Sequence, residues 1–62
     1  MNNKILRLPE IMDLTGLSRS SIYAQIAGGT FPKQISLGAR AVGWIESEVH
    51  EWVIERMNLR VN

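Results

Sequence analysis

Along the chain, apolar residues come in short blocks broken by glycine, proline and serine, which punctuate tight turns. Lys4-Ile5-Leu6-Arg7-Leu8 reads as a short extended lead-in. Pro9 follows, and proline suits the first turn of a helix because its missing N–H would be unpaired there anyway. Leu8, Ile11 and Leu14 recur at i, i+3, which predicts a first helix over 9–15. Glu10 lies near the positive end of its dipole, and Gly16 suits its C-terminal cap. Ser18 can accept from a free backbone N–H, so a second helix is predicted over 19–27, stopped by Gly28-Gly29. Ile22 and Ile26 form its buried stripe. Ser20, Ala24 and Ala27 fall on the opposite side, and Arg19 and Tyr23 flank one edge.

Phe31-Pro32 marks a turn out of the helical region. Gln34-Ile35-Ser36-Leu37 then alternates as a half-buried strand does. Gly38-Ala39-Arg40 supplies a turn, and Ala41-Val42-Gly43-Trp44-Ile45 returns. This is a two-stranded hairpin over 34–45 with Arg40 at its tip. Ser47 is the N-cap expected for a third helix, which ends near Asn58. Val49, Trp52, Val53 and Met57 make its apolar face, and Glu48, Glu51 and Glu55 a solvated acidic one. The fold class expected is mainly α with a small β-hairpin: a winged helix-turn-helix of three helices and a two-stranded wing, one domain over 1–62.

Length and composition narrow the function. A chain of 62 residues buries only about 60% of the surface its unfolded form exposes, so a deep substrate cleft is not expected. With no cysteine, disulfides, zinc fingers and thiol catalysis are all excluded. No Gly-rich phosphate loop and no metal-ligand spacing is present, so no catalytic residue, metal or cofactor is expected. Ser47, His50 and Glu46 can be written as a triad, but their crowding at one helix start reads as capping. Trp44 and Trp52 sit in apolar patterns and are expected in the core. The apolar runs are too short to span a membrane, and Met1-Asn2-Asn3-Lys4 lacks the apolar stretch of a secretion signal, so the location expected is cytoplasmic.

The net charge is only +1, but its distribution is uneven. Residues 1–45 carry Lys4, Arg7, Arg19, Lys33 and Arg40 against Glu10 and Asp13, a net +3. Residues 46–62 carry Arg56 and Arg60 against Glu46, Glu48, Glu51 and Glu55, a net −2. A phosphate backbone would favour the first part and avoid the second. Two short helices joined by Thr15-Gly16-Leu17-Ser18 carry the helix-turn-helix signature. In that motif the second helix enters the major groove of double-stranded DNA with its N-terminal residues against base edges. Arg19 and Ser20 would read bases there, Tyr23 would reach phosphate or sugar, and Ser18 would cap the helix beside a phosphate. Lys33 suits a phosphate contact, and Arg40 the backbone or a narrow minor groove. One such motif reads few base pairs, so a homodimer or cooperative neighbours would raise specificity, with Trp52, Met57 and Leu59 as candidates for the contact.

Several stretches, taken in order, resemble a known family. They are Arg7-Leu8-Pro9-Glu10, Thr15-Gly16-Leu17-Ser18-Arg19-Ser20-Ser21-Ile22-Tyr23, Phe31-Pro32-Lys33 and Leu37-Gly38-Ala39-Arg40-Ala41-Val42-Gly43-Trp44. Together they look like the AlpA-type prophage regulators, small proteins related to excisionases and to the DNA-binding domain of MerR-type regulators. The resemblance spans about residues 5–57. It implies a winged helix-turn-helix and a role in transcription, or in excision of mobile elements beside a recombinase. A third role, protein interaction through the last helix, stays open. Two positions depart from the pattern. Ala24 stands where relatives often carry a basic residue, removing one DNA contact. His50 stands where they often carry an acidic one, weakening the start of the third helix.

Overall fold

The computed structural model describes residues 4–60. The element order is β1 (Ile5–Leu6), α1 (Leu8–Thr15), α2 (Arg19–Ala27), β2 (Ile35–Gly38), β3 (Ala41–Ile45) and α3 (Glu46–Asn58). The β part is a three-stranded antiparallel sheet of order β1-β3-β2, rather than a two-stranded wing alone. The extended lead-in supplies the additional strand. Ile5 pairs with Ile45 and Leu6 with Trp44, which fastens the N-terminal segment to the base of the hairpin.

The helix ends follow from local chemistry. Helix α1 starts one residue earlier than expected, at Leu8, because the Arg7 N–H donates to Glu10 Oε1 at 2.9 Å and closes the first turn. Gly16, at φ 72°, ends it, its N–H donating to the Met12 carbonyl. That left-handed conformation costs glycine little. Thr15 joins this end to the next segment. Its hydroxyl donates to the Ile11 carbonyl at 2.8 Å and accepts from the Leu17 N–H at 3.2 Å. Helix α2 closes with paired bonds, Gly29 N–H to the Ile26 carbonyl and Thr30 N–H to the Gln25 carbonyl. With Gly29 at φ 80°, this is the Schellman arrangement.

Helix α3 begins at Glu46, so Ser47 lies inside it and is not its cap. Strand β3 runs directly into α3 through Ile45, which offers no side-chain cap. The Glu46 N–H is met instead by the Lys4 carbonyl at 2.8 Å. The backbone just before β1 thus satisfies the first amide of α3, which has no side-chain cap.

Leu6, Ile11, Ile22, Phe31, Trp44 and Val49 form the buried core, one or more from nearly every element. Phe31, expected to mark a turn, is one of them. It packs edge-on against Trp52 at 4.8 Å between ring centroids. Leu14 and Met57, expected on inward faces, are exposed instead. Three short helices and a narrow sheet leave nothing to cover them. Strand β2 is exposed along its whole length rather than half-buried, because it is an edge strand paired only with β3. The register shifts by one residue between Ser36 and Gly38, a bulge that bends the hairpin.

The Gly43-Trp44 pair has a packing cause. Gly43 is buried in the central strand. A Cβ there would collide with Ile5 Cγ2 and approach Leu37 Cδ1 to 3.0 Å and the Leu6 carbonyl to 3.1 Å. Glycine lets β1 and β2 close on β3. Among the described residues no helix is long and apolar enough to cross a membrane.

Candidate nucleic-acid interface

The outward surface of α2 is built from its cap upward. Ser18 sits in extended backbone, and its Oγ accepts from the Ser21 N–H at 3.2 Å, as expected of an N-cap. The Ser18 hydroxyl also donates to Ser21 Oγ at 3.1 Å. Arg19, Ser20, Ala24 and Ala27 are exposed, Tyr23 is half-buried, and Ile22 is buried beneath them. The exposed stripe Ser20, Ala24, Ala27 carries only small side chains, so the helix backbone can approach a groove closely.

Arg19 does not stand alone. Its guanidinium lies 5.5 Å from the centroid of the Tyr23 ring, one turn along. Tyr23 in turn meets buried Trp44 edge-to-face at 6.3 Å. A surface cation is thereby linked through a half-exposed phenol to the centre of the core. The flanking positions of Arg19 and Tyr23 on one edge of the helix were legible; the edge-to-face contact of Tyr23 with Trp44 was not, because Trp44 is distant in sequence.

The two indoles also fix the loop that carries the hairpin. Trp44 Nε1 donates to the Pro32 carbonyl at 3.0 Å, and Trp52 Nε1 to the Thr30 carbonyl at 2.6 Å. Arg56 lies over the Trp52 ring at 5.1 Å and donates to Gln25 Oε1 at 3.3 Å, tying α3 to the back of α2. Helix α2, the loop and the sheet are therefore held as one body. Sequence reading missed the part played by Thr30, Pro32 and Gln25. The available signal was that a buried tryptophan N–H needs an acceptor.

Arg40 lies in the two-residue turn Ala39-Arg40 between β2 and β3 and is exposed. No non-glycine residue described has positive φ, so this is not the mirror-image turn common in tight hairpins. Lys33 has different surroundings. It lines an open groove of about 550 Å³ together with Glu48, Glu51, Glu55, Phe31 and Trp52. Ser18, Arg19, Ser20 and Tyr23 cluster at the start of α2, whereas Lys33 sits where α3 presents its carboxylates. Those glutamates are exposed, as expected of a solvated acidic face, and line this open groove. Among the described residues no cluster of His, Cys, Asp or Glu could hold a metal ion.

A short helix, a glycine turn, a second helix capped by serine and a following hairpin define a helix-turn-helix arrangement of the kind that presents its second helix outward. Comparison with known proteins makes the assignment particular. Residues 4–57 match the family model described as prophage CP4-57 regulatory protein (AlpA), and the chain belongs to that family. It is 42% identical, over an alignment of 69 positions, to the DNA-binding transcriptional activator AlpA of Escherichia coli strain K12, covering 95% of this chain and 99% of that protein. It is 52% identical over 54 residues to the uncharacterized protein ORF88 of Enterobacteria phage P4, covering 87% of this chain. The matched region spans 61% of the phage protein's length.

Proposed function

We propose that this protein is a sequence-specific DNA-binding transcriptional regulator of a prophage or related mobile element. Helix α2 lies in the major groove, and the β2–β3 hairpin acts as a wing on the adjacent backbone. The observation that carries the reading is the start of α2. Ser18 caps the helix, Arg19 and Ser20 are exposed on its first turn, and Tyr23 braces Arg19 from the core. A guanidinium held this way can form the bidentate pair with guanine that is the commonest specific contact. The family relative named as a DNA-binding transcriptional activator supports the same reading.

In this arrangement Arg19 and Ser20 read base edges, while Tyr23 and the positive end of α2 at Ser18 hold phosphate. Arg40 reaches the backbone or minor groove. Lys33 makes a weaker phosphate contact, because the neighbouring glutamates compete for its ammonium. Binding should be measured by fluorescence anisotropy against a promoter fragment selected from randomised sequence. Arg19→Ala should cost about 1–3 kcal/mol and relax preference at one base pair. Arg40→Ala should weaken all sequences alike and reduce the salt slope by about one. If both variants bind as wild type does, the assigned face is wrong.

One observation favours an architectural variant of this role. The outward stripe of α2 offers a single hydroxyl and two alanines, few groups for reading bases and a smooth surface for following a bent groove. A circular-permutation gel separates the two. A large bend centred on the site supports an excisionase-like factor, and an unbent site supports the simple regulator.

A further inference from the structure

Helix α2 is held to the body at both ends, by different means. Its first half rests on Trp44 through Tyr23. Its last turn is held from α3, through a closed circuit of Gln25, Thr30, Trp52 and Arg56. The Gln25 carbonyl accepts from the Thr30 N–H at 2.9 Å and from the Thr30 hydroxyl at 3.3 Å. The Thr30 carbonyl accepts from Trp52 Nε1 at 2.6 Å. The Arg56 guanidinium, one turn further along α3, lies 5.1 Å from the Trp52 ring centroid. Arg56 Nη2 then donates to Gln25 Oε1 at 3.3 Å and closes the circuit. Trp52, a candidate from sequence for contact between copies, is thus engaged within the chain.

We propose that Arg56 and Trp52 are positioning residues for DNA recognition: they set the angle at which α2 enters the major groove without touching DNA themselves. The proposal rests on the docking of α2 put forward above. Ile22 is the only residue of α2 that is buried outright, so packing gives the helix a pivot and the circuit supplies a second fixed point. Gln25 lies on the edge of α2 opposite Arg19 and Tyr23, at about 100° per residue, so the circuit leaves the outward stripe clear. Trp52 and Arg56 line a concavity with Glu55 and Leu59, where the carboxylate repels phosphate. Freed at its last turn, α2 could tilt about its Tyr23 support and carry Arg19 with it. A bidentate pair between guanidinium and a base edge is demanding of geometry. Phosphate contacts carry no sequence information and tolerate the tilt better. Loosening the circuit therefore costs specific binding more than non-specific binding.

Fluorescence anisotropy on the whole chain tests this, with the selected promoter fragment and a scrambled duplex of equal length. Each protein is assayed below its circular dichroism melt, which confirms the fold. Arg56→Ala and Gln25→Ala should each lower the ratio of specific to scrambled affinity by about three- to tenfold, the range for one or two side chains left to be ordered on binding. The double variant should be no worse than either single one, because both remove the same contact. The salt slope of Arg56→Ala should match that of wild type; a phosphate contact by Arg56 would lower it by about one. Trp52→Phe keeps a ring beneath Arg56, loses only the N–H, and should shift the ratio in the same direction. Arg60→Ala removes a nearby cation outside the circuit and should leave the ratio unchanged. An Arg56→Ala protein with the wild-type ratio, additive losses in the double variant, a salt slope lowered by one, or an equal loss in Arg60→Ala overturns the positioning role while the DNA-binding reading stands. A wild type that does not distinguish the promoter fragment from the scrambled duplex overturns that reading, and the positioning role with it.

Discussion

Replacing Gly43 by alanine adds one methyl group at the most crowded point of the sheet. The new Cβ would overlap Ile5 Cγ2 and stand 3.1 Å from the Leu6 carbonyl oxygen. Leu37 Cδ1, at 3.0 Å, is the end of a flexible side chain and can swing away. The other two cannot do so cheaply. Ile5 Cγ2 is carried on a β-branched carbon, and the Leu6 oxygen is backbone, so β1 itself must move. Overpacking of this kind costs about 1–3 kcal/mol, offset by the roughly 0.4–1 kcal/mol that alanine saves in the unfolded chain. The net loss is then about 1–2 kcal/mol. A domain of this size has a total stability of roughly 3–9 kcal/mol, at 0.05–0.15 kcal/mol per residue. Tm should fall by about 4–16 °C, at 4–8 °C per kcal/mol for small domains. Urea denaturation followed by tryptophan fluorescence, with a circular dichroism melt beside it, measures both. The cause is isolated by a double-mutant cycle with Ile5→Ala, which removes the colliding methyl. The pair should recover about 1 kcal/mol relative to the sum of the single changes. Additive effects, or a Gly43→Ala protein as stable as wild type, would show that β1 does not press on β3 at this point.

The other expectations concern caps and tethers. Ser18→Ala removes the acceptor of the Ser21 N–H and should lower stability by about 1 kcal/mol, while Ser18→Asp should restore it; equal melts for all three proteins would argue against the cap. Thr15→Val keeps the shape of the side chain but loses both hydroxyl contacts, and should cost about 1–2 kcal/mol in urea titration. Trp52→Phe deletes the donor to the Thr30 carbonyl at a cost of about 0.5–1.5 kcal/mol. It should also speed hydrogen exchange at Thr30 and Phe31, and unchanged exchange would mean the indole does not hold the loop.

Local chemistry was legible in the chain because it depends on neighbours. Gly16 ends a helix, Ser18 starts one and Gly28-Gly29 stop it, each through contacts within a few residues. What escaped reading was long-range. Strand β1 has only two residues, and it pairs with Ile45 and Trp44 on the far side of α1, α2 and β2. No pattern in Ile5-Leu6 announces it. The misplaced start of α3 has the same origin, since the group that meets the Glu46 N–H is the Lys4 carbonyl. Phe31, between Gly28-Gly29-Thr30 and Pro32, has the surroundings of a turn residue; it is buried because the turn packs it against Trp52. Met57 and Leu14 had the periodicity of core residues, but periodicity identifies a face without saying whether anything covers it. At the candidate site, Arg19, Ser20, Tyr23 and Arg40 could be named as candidates from the motif. The bracing of Arg19 by Tyr23 and Trp44, and the glutamate surroundings of Lys33, needed the three-dimensional arrangement.

The charge pattern and the indole tethers bear on the same difficulty. A chain with net charge +1 has few cations to set against a phosphate backbone, and each contact with DNA contributes modestly. Two features offset this. The acidic residues of α3 gather along one groove with Phe31 and Trp52, so that side repels phosphate, which supports the proposed approach through the start of α2. The second feature is rigidity. Trp44 lies in the core, pairs within the sheet, bonds the loop and supports Tyr23 beneath Arg19. Binding then needs little ordering of α2 relative to the hairpin, and each immobilised side chain saved is about 0.5–1.5 kcal/mol not lost on association. In a domain this small, a single tryptophan can serve both stability and recognition because the core lies one side chain below the surface that would meet DNA.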